Sequence, residues 1–116
     1  MARYFEFSFN GHRYEARGTA RDTRNGFAHD IAVWDENHRD VTEASMHYLN
    51  RTWECYPFES CLHKAIEQMA DNEAYWEKET YKREHNCARL PKGMKGEIES
   101  KWYEEYKKAC ETIKRF

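Results

Sequence analysis

Aromatic and polar side chains alternate from Tyr4 to Phe9. Phe5, Phe7 and Phe9 stand against Tyr4, Glu6 and Ser8, the two-residue period of a strand with one buried face. Asn10-Gly11 follows, the pair suited to a two-residue type I′ hairpin turn, where both positions need positive φ. Folding the chain back there sets Phe9 opposite His12, Phe7 opposite Tyr14 and Phe5 opposite Ala16. Glu6, Ser8, Arg13, Glu15 and Arg17 then share the other face. Residues 18–26 read as a polar connection. In the next segment Phe27, His29, Ile31 and Val33 alternate with Ala28, Asp30, Ala32 and Trp34, which predicts a third strand. Residues 35–40 form a polar turn cluster. Val41 to Asn50 reads as a fourth strand, favoured by β-branched Val41 and Thr42, with a helix beginning at Thr42 as the competing reading.

The period then changes. Phe58, Cys61, Leu62, Ala65, Ile66 and Met69 follow Pro57 at the spacing of an amphipathic helix, predicted over 57–70. Asp71-Asn72 either ends it or caps a second helix over 72–86, carrying Ala74, Trp76, Thr80 and Tyr81. Pro91, Gly93 and Gly96 place a loop at 90–96. A last helix over 96–114 lines up Ile98, Trp102, Tyr106, Ala109 and Ile113, with Tyr103 and Cys110 beside them. Glu97–Lys101, Glu104–Lys108 and Glu111–Arg115 are i,i+4 pairs on its solvated side. Strands first and helices after predict an α+β fold, a three- or four-stranded antiparallel sheet packed against two or three C-terminal helices. Phe5, Phe7, Phe9, Tyr14, Ile31 and Val33 should meet Phe58, Leu62, Ile66, Met69, Trp102 and Tyr106 in one core.

The 116 residues suit a single domain, 1–116. Although 34% of residues are charged, 16% are aromatic, which supplies large buried areas and argues against disorder. No apolar run approaches the ~20 residues of a membrane span, so no membrane partner is expected. Met1 to Glu6 lacks the apolar stretch of a signal peptide, and a cytoplasmic protein is expected. A net charge of -2 disfavours a surface that broadly coats nucleic acid.

Catalytic signatures are weak. Cys61 and His63, then His85 and Cys87, form pairs too closely spaced for the usual zinc-ligand intervals. Cys61 falls on an apolar stripe, and Cys55 and Cys110 read as packing residues. Cys55, just ahead of the Pro57 helix, is the best-placed nucleophile candidate, but no glycine-rich oxyanion or phosphate loop accompanies it. Glu99, Glu104 and Glu105 read as solvated helix charge, and His29 and His47 as core histidines. The expectation is a protein without enzymatic activity, cofactor or metal.

The segment Asn50-Arg51-Thr52-Trp53-Glu54 leads through Cys55-Tyr56-Pro57-Phe58 into the first helix, as a strand-to-helix junction would. Together with the Lys64-Ala65-Ile66 run it resembles, over about twenty residues, small phage and prophage accessory proteins of unassigned function. Glu59 stands where their pattern has Gln. The resemblance implies a mobile-element protein in a bacterial cytoplasm. A host macromolecule is then the expected partner. Its sharpest version is an inhibitor that occludes a defence nuclease, as anti-CRISPR proteins do. Candidate contacts are Tyr4, Arg13, Arg17, Arg21, Arg24 and Arg51, with Glu104 and Glu105 on the last helix. The alternative is a small nucleic-acid-binding module using Arg13, Arg17, Arg21 and Arg24. An exposed edge at the Tyr4 strand could also pair a homodimer.

Overall fold

The computed structural model describes residues 2–23, 26–41 and 58–115, and the side chains of 4–18, 31–41 and 62–115. Three strands, β1 (Ala2–Phe9), β2 (His12–Thr23) and β3 (Gly26–Trp34), precede the helices α1 (Phe58–Glu84) and α2 (Met94–Glu111), and a two-residue strand β4 (Lys114–Arg115) follows. The sheet order is β3-β2-β1-β4 and every pairing is antiparallel. This is the expected α+β arrangement, with two helices among the described residues.

The first hairpin matches its expected register, with Phe9 opposite His12, Phe7 opposite Tyr14 and Phe5 opposite Ala16. Asn10 (φ 52°) and Gly11 (φ 78°) supply the positive dihedrals of the turn. The expected connection at 18–26 is corrected. Gly18 to Thr23 continue β2 and pair with β3, from Gly18 opposite Ile31 to Thr23 opposite Gly26. Main-chain pairing carries this arm, so its polar composition hides it from a hydrophobic pattern. Since β1 begins opposite Thr19, residues 20–23 of β2 pair with β3 alone among the described residues. At 35–40 the expected turn is built on Asp35, whose Oδ1 accepts the Asn37 and Arg39 N–H groups, both at 2.9 Å. Val41 N–H donates to Val33 O at 2.8 Å. The strand or helix expected over 41–50, from Thr42 on, and the junction through Pro57 lie outside the described residues.

The two helices expected at 57–70 and 72–86 are one continuous helix of 27 residues. Asp71 and Asn72 neither end nor cap it. Gln68 Nε2 donates to Asn72 Oδ1 one turn on at 2.9 Å, and Ala70 and Ala74 are buried on either side of the pair. Trp76 lies on this helix, as expected, but away from its buried face. Two residues beyond Ala74 turn it through roughly 200°, and it is 58% exposed. The helix ends in a Schellman motif: Cys87 N–H reaches Lys82 O (3.0 Å), Asn86 N–H reaches Arg83 O (3.3 Å), and Asn86 takes φ 48°.

α2 begins earlier than expected, at Met94, because left-handed Gly93 (φ 85°) turns the chain into it and Gly96 is accommodated in its first turn. It also ends earlier. Thr112 Oγ1 donates back to Ala109 O (2.7 Å) and accepts the Ser8 N–H (2.8 Å), so the chain leaves the helix to lay β4 beside β1. The edge expected to lie open at the Tyr4 strand is therefore occupied at Phe5, Glu6 and Ser8. The expected i,i+4 pairs are replaced by Lys107–Glu104 and Lys108–Glu105 at i,i+3, by Lys101–Glu77 between the helices, and by the placement of Arg115 in β4.

The helices pack on one face of the sheet. Phe5, Phe7, Phe9, Ala16, Ile31 and Val33 meet Leu62, Ala65, Ile66, Met69, Ile98 and Trp102 in a single buried cluster. Tyr14 and Tyr106 border it, and Phe7 stacks on Tyr14 with centroids 5.3 Å apart. The Phe58 side chain lies outside the described residues.

Candidate binding face

Alternation along β1, β2 and β3 gives the sheet a second face, and among the described residues both helices lie on the other one. Its side chains form rows across the strands. Tyr4 faces Arg17, which faces Ala32; Glu6 lies between Lys114 and Glu15, and Glu15 faces Trp34; Ser8 faces Arg13. Tyr4 is 50% exposed. The Arg17 guanidinium lies diagonally over the Trp34 ring, 5.6 Å from its centroid, which holds the cation in place while leaving its edge to solvent. A shallow depression of about 290 Å³ opens between Tyr4, Glu15 and Trp34.

Charge on this face is mixed. Glu6 and Glu15 are directly opposed, which by itself destabilises the pair. Arg13 Nε pairs diagonally with Glu6, and Lys114 lies beside it. At the hairpin end, His12 Nδ1 lies 2.6 Å from Glu36 Oε1 and ties the first turn to the 35–40 turn.

Of the contacts expected from the sequence, the fold gathers Tyr4, Arg13 and Arg17 on this face. Arg21 sits in β2 opposite Ala28, beyond the end of β1, and its side chain, like Arg24 and Arg51, lies outside the described residues. Glu104 and Glu105 belong to a different surface, on α2, where Lys107 (3.0 Å) and Lys108 (3.6 Å) pair with them. One partner surface joining the arginines of the hairpin to these acids is thus not what the fold builds. Trp34 is the residue that sequence reasoning missed. Its alternation with Val33 already put it on the outer side, but its meeting with Arg17 depends on the β2–β3 register.

The described cysteines are Cys87 and Cys110, both free and half-buried. Burial pushes the Cys110 thiol upward, away from the thiolate form, and outweighs the hydrogen bond from Tyr106. Burial also raises the Tyr106 hydroxyl to about 12. Neither group is poised as a nucleophile or base near neutrality. Cys55 and the side chain of Cys61 lie outside the described residues. Among the described residues no three His, Cys, Asp or Glu side chains cluster closely enough to hold a metal ion, and no helix is long and apolar enough to cross a membrane. No family model, curated protein or solved structure matches this chain.

Proposed function

We propose that this protein is a non-enzymatic binding protein that docks on a partner protein through the outer face of its sheet. The observation that carries this reading is the cluster of Tyr4, Arg17 and Trp34 on a face that neither helix covers. Tyr, Trp and Arg are the residues that dominate interface energetics. Here the sheet fixes them, so binding need not order them. Mixed charge favours a protein over a polyanion: Glu6 and Glu15 lie among Arg13, Arg17 and Lys114, and Arg13 already has a carboxylate partner. The resemblance of the Asn50–Glu54 segment to phage accessory proteins narrows the partner to a bacterial host protein. A defence nuclease blocked by occlusion is the specific form of the proposal.

The test is retention from bacterial lysate on the tagged wild-type chain and on the Tyr4→Ala and Arg17→Glu variants, with and without nuclease. One stoichiometric protein that survives nuclease and disappears with both variants supports the reading. Equal retention by wild type and variants removes the sheet face from the interface. Recovery that collapses with nuclease and falls steeply with salt moves the function to nucleic-acid binding.

A further inference from the structure

The helices α1 and α2 form an antiparallel hairpin, in which Glu77 meets Lys101 and Lys78 meets Glu99. The last α1 residue in the core is Ala74, so the ten residues from there to Glu84 carry the end of the helix about 15 Å further. Positive charge is concentrated at that end. Residues 82–95 hold five lysines and arginines against one carboxylate, Glu84, so they carry +4 in a chain of net -2 and the remaining residues carry -6. Lys82 pairs with Glu79 at 3.3 Å. Arg83, Arg89, Lys92 and Lys95 are exposed, and none has a carboxylate within ion-pair distance among the described residues. Elsewhere on the two helices every lysine has a glutamate partner: Lys64, Lys78, Lys101, Lys107 and Lys108. Glu97, in the first turn of α2, is the nearest acid in sequence on the far side of the turn.

A second, independent observation concerns His85, which is exposed just past the end of α1. Its ring stacks on Tyr81, with centroids 3.9 Å apart and planes 16° from parallel. Its Nδ1 lies 3.0 Å from the Tyr81 carbonyl, which can only accept, so a donated hydrogen bond fixes the ring. Tyr81 covers one face of the imidazole, and among the described residues no other ring meets the opposite one. The same turn has no large exposed apolar side chain: Leu90 and Met94 are half-buried. It therefore lacks the apolar face with which a segment enters a lipid surface.

We propose that the turn between α1 and α2 binds single-stranded nucleic acid, with Arg83, Arg89, Lys92 and Lys95 on its phosphates and one base stacked on the open face of His85. Guanidinium forks and ammonium groups both serve phosphate oxygens. A planar ring held beside a cationic track is how proteins grip single strands, whatever their sequence. An acidic protein surface would neutralise the cations and leave the imidazole face unused. A duplex keeps its bases inside the stack, out of reach of that face. This site is separate from the outer sheet face, where Glu6 and Glu15 lie among the arginines, and it stands whether or not that face docks on a protein.

The probes are fluorescein-labelled oligothymidylate and oligouridylate of about 15 nucleotides, followed by anisotropy as the full chain is added. Saturable binding of either strand is expected, and the tighter one names the natural source. With three or four phosphates neutralised, affinity should fall roughly 20- to 50-fold between about 50 and 200 mM salt. The triple variant Arg89→Gln/Lys92→Gln/Lys95→Gln should bind at least about tenfold more weakly at the lower salt and lose most of that salt dependence. His85→Ala should weaken binding about fivefold or more with the salt dependence kept, and an abasic strand should bind the wild type about as weakly. All these side chains are exposed, so the urea midpoints of the variants should match wild type. Tyr4→Ala and Arg17→Glu should leave every titration unchanged, which separates this site from the sheet face. Binding indifferent to salt, an unaffected triple variant, or a loss caused by Arg17→Glu would each overturn the proposal. An abasic strand as tight as the intact one would overturn the base on His85. Cosedimentation with phosphatidylserine vesicles, with neither strand bound, would assign the turn to a lipid surface instead.

Discussion

The two sides of β1 divide between stability and recognition residue by residue. Phe5, Phe7 and Phe9 keep 2%, 1% and 3% of their exposure, while Tyr4, one residue from Phe5, keeps 50%. The backbone and the pairing partners are shared, so the difference lies in what each side chain meets. Inward, the phenyl rings meet Leu62, Ile66 and Trp102. Outward, Tyr4 meets Arg17 and solvent. A two-residue period therefore lets one eight-residue strand anchor the core and present a surface, and changes on one side should leave the other side's property intact.

The strongest way to break that comparison is at Phe7. Phe7→Ala should cost about 3–5 kcal/mol in urea denaturation, by lost transfer energy and a cavity beside Tyr14. A loss below 1 kcal/mol would mean the inward side is not the stabilising one. Leu62→Ala, across the core and fully buried, should cost about 2–5 kcal/mol by the same measurement. At the turn joining the two strands, Gly11→Ala meets no atom within 4 Å, so only the left-handed backbone at φ 78° opposes it. A loss of about 1–2 kcal/mol is expected. On the outward side, Tyr4→Ala should shift stability by no more than about 0.5 kcal/mol while abolishing partner capture. A large stability loss there would show that the residue supports the fold.

The smallest effect extends the comparison to the outer side of the helices. Asp71 has a raised pKa in the folded chain, so its charged form is disfavoured there. That penalty is absent at pH well below the ordinary carboxylate value of 3.8 and sets in as pH rises through the elevated folded value. Asp71→Asn should therefore raise the melting temperature slightly at pH 7, with the gain shrinking as the pH falls toward that ordinary value. A gain that grows on acidification would reverse the sign assigned to this carboxyl.

The legible parts of the fold are those where two local signals agree. Alternation and Asn10-Gly11 specify the same hairpin, and its register placed Tyr4, Arg13 and Arg17 together before any tertiary contact was known. The β2–β3 arm lacked that agreement, because Gly18 to Thr23 pair through the main chain without an apolar rhythm. Asp71-Asn72 misled for the opposite reason. Residues that favour caps also sit on a helix surface at small cost, and packing of Ala70 and Ala74 decided the matter. The Arg17–Trp34 contact stayed hidden because it joins two strands whose register depends on that arm.

The pairing of β4 with β1 also sets a timetable for synthesis on the ribosome. Ser8 and Thr112 are separated by 104 positions, so at ~5–20 residues per second some ~5–20 seconds pass between their emergence. The Asn10-Gly11 hairpin can close early in that interval, but the outer edge of β1 waits for the last helix to be made. Until then the nascent chain offers an unpaired strand beside the rings of Phe5, Phe7 and Phe9, and neighbouring chains on one messenger could pair with it. Two residues of late strand end that exposure.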